Sequence, residues 1–463
     1  MNDSSGSPAP PHTLPRVLNW FDATTVVVGS IIGSGVFLKA SVVAKELGAT
    51  GPMLAIWIGV GVLTLCGALA LAELAAMLPQ AGGPFVYLRE AYGRLPAFLW
   101  GWTEFWIIRT GSIGALACAT TIYLGAIVPL SPGWQEAITT LIVVGLAVLN
   151  IVGTRWGAAA QNLTTVIKLG FLAVLILGPW LLGKADVENL QPVWPSGIDG
   201  SYWKAIGAAM IAVMWPYDGW INLTPVAEEI DRPQRNLPLA LGLGMLIVIL
   251  VYTGANLGYH LVLPMAAVRG SERVAADASY VLFGDWGRKL AAAGVMCSTF
   301  GAVNANMLVG PRIYFAMARD GLMPKAICKV HPKFFTPANA IALQAAWTVV
   351  LLFLAHRYPA EGVTLAQRAY FVFDALTNMV IFGGSVFYAM AVAAVFVLRA
   401  RHPEWERPYR TWGYPVTPIL YLLMFAAALT ALFVNTWERS WLGALLIASG
   451  VPVYFWWTRR ELA

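Results

Sequence analysis

The stretch "VVVGSIIGSGVFLKAS", residues 26–41, lies in the first long apolar run of the chain, yet it places three glycines and two serines between Gly29 and Gly35. It is apolar enough to cross a bilayer and is built to break in its middle. Its surroundings agree with the first half of that statement. The chain has 463 residues, 58% of them hydrophobic and 12% charged, with 20 tryptophans. Soluble domains carry about 25% charged residues, so a soluble multidomain protein is a poor reading. The opening "MNDSSGSPAPPHTLPR", residues 1–16, is polar and proline-rich with no apolar region, and reads as a disordered tail rather than a signal peptide. Cys66, Cys118, Cys297 and Cys328 have neither metal-binding nor disulfide spacing and read as free thiols, so no metal or cofactor is expected. A net charge of +6 points weakly to nucleic acid; in a membrane protein basic residues collect in cytoplasmic loops instead.

A helix needs about 20 apolar residues to cross the hydrocarbon core. Twelve runs qualify, near 20–43, 52–78, 96–127, 134–153, 156–183, 201–226, 237–262, 286–317, 337–356, 366–398, 414–436 and 440–458. With the N-terminus inside, the larger share of basic residues falls in inner loops, among them Arg89, Arg94, Arg155, Arg232, Arg235, Arg312, Arg319, Arg399 and Arg401, which places both termini in the cytoplasm. A second break appears in the sixth run, "VMWPYDGWINLTPVAEEI", residues 213–230. Pro216 has no N–H and Gly219 is flexible, so the helical ladder is expected to stop between them. Breaks in the first and sixth runs suit two inverted five-helix halves, 17–183 and 201–398, followed by two further helices over 414–458.

Unpaired backbone at membrane depth is tolerated only where protein or a polar ligand satisfies it. The N–H groups of Gly33, Ser34 and Gly35 would start the second half-helix, where the dipole favours a carboxylate. Carbonyls near Ile31, and near Trp215, Tyr217 and Asp218 in the sixth run, would accept from an ammonium. Two such breaks together make a site for a small zwitterion. The plainer alternative, glycines as close-packing positions, is common in membrane helices.

The blocks "GSIIGSGVF" (29–37), "LAELAAMLPQAGGPFVYLREAYG" (71–93), "PYDGWINLTPVAEEIDRPQRNLPLAL" (216–241), "RIYFAMARDGLMP" (312–324) and "ERPYRTWGYP" (406–415) resemble, in order, the amino acid–polyamine–organocation superfamily in its L-amino acid transporter branch. The resemblance implies an all-α integral membrane protein of twelve transmembrane helices. Its LeuT-type fold would be a five-plus-five inverted repeat with helices 1 and 6 broken. It also implies a sodium-independent carrier that exchanges small L-amino acids by alternating access. On this resemblance Ser34 and Gly35 bind the carboxylate by N–H, and the carbonyls of Ile31, Trp215 and Asp218 bind the amine. Animal members are tethered to a heavy subunit through a cysteine in the loop after span three. Here that loop, "AIVPLSPGWQEAI" (126–138), has none, so a stand-alone bacterial carrier without a disulfide-linked heavy subunit is expected.

Ionisable residues within spans are functional candidates because isolated ones are costly. Lys168 lies mid-span, and on the resemblance its ammonium stands where sodium-coupled relatives of the fold bind a cation. Its expected acceptors are carbonyls near Gly33 and a hydroxyl of Ser298 or Thr299; snorkelling is the plainer alternative. The Asp218 side chain is open between a substrate contact, a proton site and a partner for freed N–H groups. Glu73, Glu104 and Arg109 read as structural ion-pair residues. Glu228 and Glu229 face Arg232 and Arg235 as gate pairs or as solvated loop charges. His12, His260, His331, His356 and His402 form no cluster and read as loop or helix-end residues. Trp215 is a bulky flank that favours small substrates unless its ring swings aside. Within transport, the rival is a proton-coupled amino acid or amine symporter using Asp218 or Glu73. Against a polytopic membrane enzyme, the sequence places no Ser–His–Asp, His–Glu–His or Cys–His constellation at one membrane face. A channel would need polar stripes on several helices.

Overall fold

The computed structural model describes residues 14–357, 368–435 and 437–461. Residues 1–13 of the expected tail, His12 among them, lie outside the described residues. The architecture is helical: α1 (Trp20–Ile31), α2 (Gly35–Leu47), α3 (Thr50–Met77), α4 (Pro84–Tyr92), α5 (Arg94–Thr103), α6 (Arg109–Gly125), α7 (Pro132–Val152), α8 (Thr154–Leu181), α9 (Gly200–Tyr217), α10 (Pro233–Val262), α11 (Met265–Gly270), α12 (Val274–Phe283), α13 (Asp285–Arg319), α14 (Ala338–Arg357), α15 (Arg368–Arg401), α16 (Val416–Asn435) and α17 (Trp437–Glu461). Among the described residues each of the twelve apolar runs carries one of these helices or a pair of them, the sixth run continuing past α9 into a 3₁₀ segment. Among the described residues eight helices are long and apolar enough to cross a membrane, and α1 with α2, bent by 42° at their break, makes a ninth span. Large apolar side chains such as Trp134, Leu141, Leu181 and Leu250 face outward, as lipid contact requires.

The first break forms as its glycines and serines foretell. α1 starts from Asn19, whose side chain caps Phe21 and Asp22 while Asp22 answers the Asn19 N–H. It stops at Ile31, because the Gly33 N–H turns back to the Ile31 carbonyl at 2.9 Å instead of continuing the ladder. Ser34 then leads into α2. The second break falls within the expected interval, between Pro216 and Gly219. α9 runs through Pro216 to Tyr217, and the chain turns at extended Asp218 and at Gly219, whose φ of +103° suits glycine. Beyond the turn, Trp220–Glu229 is 3₁₀ rather than α-helix.

The segment before α1 is held in place. Leu14 is buried and its N–H donates to Glu228 Oε1 at 3.0 Å, so the last residues assigned to a disordered tail are anchored. The N–H groups of Val17 and Leu18 donate to the Glu229 carbonyl, both at 2.9 Å. Glu228 and Glu229 do not pair with Arg232 and Arg235. Glu229 is fully buried against Arg312 at 2.7 Å, and Glu228 meets Arg319 at 3.0 Å. Exposed Arg232 faces Asp231. The true partners stand 83 and 91 positions apart in the chain, which is why local spacing misled.

Candidate functional site

α1, α2, α9 and the 3₁₀ segment bring the two breaks face to face. Ring atoms of Pro216 lie so close to Gly35 that a Cβ there would meet Pro216 Cα at 2.6 Å, and one on Gly219 would meet the Ser30 carbonyl at 2.8 Å. Glycine is therefore what allows the breaks to approach. Between them lies a cavity lined by Ser30, Ile31, Gly33, Ser34, Gly35, Trp215, Asp218 and Gly219 together with Ile108, Arg109, Ser112, Leu116, Asn222, Asn306 and Tyr388. Tyr217 is not among the lining residues; its hydroxyl donates to the Trp57 carbonyl at 2.9 Å.

The backbone groups divide differently from the sequence expectation. Of the three expected amides, Gly33 is used internally, whereas those of Ser34 and Gly35 donate to nothing among the described residues. The Ile31 carbonyl is already taken, by the Gly33 N–H and by the Tyr252 hydroxyl at 2.9 Å. The Trp215 carbonyl accepts from the Asp218 N–H at 3.0 Å. Those of Ser30 and Asp218 accept nothing among the described residues. Sequence reading missed Ser30. The ladder donor for its carbonyl would be the Ser34 N–H, four residues on, and the break removes it. It also missed Tyr252, whose hydroxyl reaches the Ile31 and Pro216 carbonyls, each at 2.9 Å, and so ties one break to the other. Three side-chain oxygens around the cavity, Ser30 Oγ, Ser34 Oγ and Asp218 Oδ1, are buried without a hydrogen-bond partner. Orphaned polar atoms are rare in folded proteins, and here three share one cavity.

Glu104 and Arg109 are paired, as read from the sequence, and Arg109 also borders the cavity. A π-helical turn, Glu104–Ile108, joins α5 to α6 and brings residues five apart onto one face. Arg109 donates to both Glu104 oxygens, at 2.9 and 3.1 Å, and to Asn222 Oδ1 at 2.9 Å and Asn306 Oδ1 at 2.6 Å. Neither asparagine stood out in the sequence; only the second, mid-span in α13, carried a signal as a buried amide. Glu73 belongs to a separate cluster, with Arg399 at 2.6 Å and with the Thr411 N–H and hydroxyl.

Lys168 is fully buried on α8. Its Nζ donates to the carbonyls of Gly29 at 3.0 Å, Ile32 at 2.6 Å and Ser298 at 3.1 Å. The acceptor from Ser298 is thus its carbonyl rather than its hydroxyl, which instead donates to Ile32 and Gly33. Thr299 bonds Val295, Met296 and Thr120 and makes no hydrogen bond to Lys168. The four cysteines are free. His260, in the last turn of α10, is buried with Nε2 at 3.1 Å from Met53 Sδ.

The sequence model of the amino acid permease family matches residues 18–456. A serine/threonine exchanger of Bacillus subtilis is 34% identical over 447 residues, covering 95% of this chain and 96% of the relative. Human b(0,+)-type amino acid transporter 1 is 30% identical, covering 96% of this chain and 88% of the relative. The large neutral amino acids transporter small subunit 2 of Rattus norvegicus is also 30% identical, at 96% and 80%. A family match over residues 18–456, together with a 34% identical relative covered over nearly its whole length, establishes that the protein belongs to the amino acid permease family within the amino acid–polyamine–organocation superfamily.

Proposed function

We propose that the protein is a sodium-independent amino acid exchanger that works by alternating access across the plasma membrane. The observation that carries this is the cavity between the two breaks, where Ser30 Oγ, Ser34 Oγ and Asp218 Oδ1 are buried without partners. The free N–H groups of Ser34 and Gly35, at the N-terminus of α2, suit a carboxylate. The free carbonyls of Ser30 and Asp218 suit an ammonium. Together they recognise what all amino acids share. A relative named as a serine/threonine exchanger supports exchange, and one named as a cystine/glutamate transporter supports amino acids as the cargo. Lys168 occupies three carbonyls beside the first break with its own positive charge, which supports independence from sodium. The twelve-span inverted repeat, cytoplasmic termini and action without a disulfide-linked heavy subunit complete the proposal. Proton coupling is the second reading, favoured by the unpartnered Asp218 Oδ1.

Trans-stimulation in proteoliposomes tests it. Unlabelled amino acid inside should accelerate uptake of labelled alanine or leucine, with no response to replacing sodium by potassium or choline. Uptake into empty vesicles driven by an imposed pH gradient, and lost in Asp218→Asn, would move the assignment to symport.

A further inference from the structure

The helices α1, α8 and α10 begin side by side at one membrane face, the cytoplasmic one in the proposed topology. Three bonds hold their starts together. The hydroxyl of Thr154, first residue of α8, donates to Glu229 Oε2 at 2.9 Å. The Asp231 N–H, two residues before α10, donates to the Leu18 carbonyl at 2.8 Å, and Asn162 Nδ2 of α8 donates to Asp22 Oδ1 of α1 at 2.7 Å. Around this junction stand Arg155, Arg232 and Arg235, all exposed, with exposed Trp20, Phe21 and Trp156 beside them. The arginines are poorly compensated. Arg155 and Arg235 have no hydrogen bond or ion pair among the described residues, and Arg232 has Asp231 at 3.8 Å with both side chains well exposed. Asp22 is taken up by the Asn19 N–H and by Asn162.

Two of these residues head stripes that face lipid. On α10, Arg235, Leu239, Leu243, Leu246 and Leu250 recur every three or four residues and are all exposed, so they share one face. On α8, Trp156, Leu163, Ile167, Val174, Leu177 and Leu181 recur at helical spacing and are likewise exposed. Arg235 stands one turn before Leu239, about 6 Å along the axis, where the stripe passes from apolar to charged. Trp20 and Trp156 mark the same depth, since amphipathic rings settle at the headgroup level. What covers this surface must be apolar along the stripes and negative at their end. A free anion answers only the arginines, and an acidic peptide answers only the aqueous part. A phospholipid with an anionic headgroup answers both in one molecule.

We propose that an anionic phospholipid of the phosphatidylglycerol type binds between α8 and α10, with its acyl chains on the two stripes and its phosphate held by Arg155, Arg232 and Arg235. Guanidinium groups fork onto phosphate oxygens, which suits three arginines to this headgroup. The site joins the two helices that flank α1, and α1 runs from it to the first break in 12 residues. Occupancy therefore steadies the foot of the helix that ends at the cavity.

The test is the Tm of the full-length protein in detergent, titrated with solubilised phosphatidylglycerol, phosphatidylcholine or inorganic phosphate. Phosphatidylglycerol should raise Tm at lower concentration than phosphatidylcholine, and inorganic phosphate should not reproduce the rise. A basic residue close to an anionic lipid surface contributes about fivefold in affinity. Arg155→Gln and Arg235→Gln should therefore each need about fivefold more phosphatidylglycerol, and the variant carrying both with Arg232→Gln should no longer distinguish the two lipids. All three positions are exposed, so these changes leave the fold intact. A control variant with Lys325→Gln, Lys329→Gln and Lys333→Gln, exposed basic residues of another loop, should keep the wild-type preference. Equal response to both lipids in the wild type overturns the proposal, as does a preference that survives in the triple arginine variant. A preference lost equally in the lysine variant overturns it too, by showing attraction to overall charge, and so does a phosphate response equal to that of the lipid. Lipid retained on purification from phosphatidylethanolamine–phosphatidylglycerol membranes gives an independent readout: the wild type should be enriched in phosphatidylglycerol over the triple arginine variant, and equal composition overturns the site. Neither readout depends on transport, so failure here leaves the exchange reading untouched, and a protein that exchanges nothing leaves the lipid site standing.

Discussion

Replacing Lys168 by methionine keeps an apolar stem on α8 and removes the charge. Three carbonyls lose a donor, and they are not equivalent. Ser298 lies within α13 and retains a helical partner, and Ile32 retains the Ser298 hydroxyl at 3.0 Å. Gly29 retains nothing, because its ladder donor would be the Gly33 N–H, which has turned to Ile31. An orphaned buried carbonyl costs about 1–3 kcal/mol, and losing two further bonds from a charged donor brings the total to about 3–5 kcal/mol for this arrangement of the first break. At 1.4 kcal/mol per factor of ten, exchange should fall about a hundredfold or more. The assay is exchange of labelled alanine or leucine in sodium-free proteoliposomes, alongside substrate-induced stabilisation in detergent. Lys168 does not line the cavity, so substrate should still raise Tm while turnover is lost. Exchange equal to wild type in sodium-free buffer would refute the reasoning and leave Lys168 a packing residue.

The same geometry sets the outcome of two further comparisons. Gly35→Ala should abolish exchange in a monodisperse protein, because its Cβ meets the Pro216 backbone at 2.6 Å, whereas Gly33→Ala should retain activity, because its Cβ meets the movable Leu116 side chain at 3.3 Å and Ala302 at an ordinary contact distance of 3.7 Å; equal exchange rates in the two variants would count against the close approach of the breaks. Arg312→Met should cost about 3–5 kcal/mol of stability by leaving fully buried Glu229 unpaired, seen as a lowered Tm in detergent. Arg319→Met, which leaves part-exposed Glu228 with the N–H groups of Leu14 and Ala81, should cost about 1 kcal/mol or less, and equal shifts would contradict the burial argument.

What the sequence disclosed and what it hid divide along physical lines. Span positions were legible because about 20 apolar residues are needed to cross a bilayer, and each of the twelve runs carries a helix. The first break was legible because glycine and serine stand where an unbroken apolar helix would have none. The second was placed between Pro216 and Gly219, and its turn lies there, at Asp218–Gly219, although the 3₁₀ form of the segment beyond it was not legible. Pro216 removes the donor that would serve the Ala212 carbonyl, yet α9 continues one residue past it, to Tyr217. The partners of Glu228 and Glu229 were illegible because Arg312 and Arg319 come from α13, and packing between distant helices leaves no local spacing. The same holds for Asn222, Asn306 and Tyr388 around the cavity. Which carbonyls are free was hidden too, since a single turned amide, Gly33, occupies Ile31 and releases Ser30.

The central claim is that the breaks hold the carboxylate and the amine of an amino acid through backbone groups. Competition for exchange of labelled leucine tests it most directly, using leucine, its methyl ester, its N-acetyl derivative, isoamylamine, which lacks the carboxylate, and alanine, which keeps both charged groups but trims the side chain. The account predicts that alanine competes more weakly than leucine but still competes, while every analogue missing a free carboxylate or amine fails. An ester or amine that competes as well as leucine would contradict it.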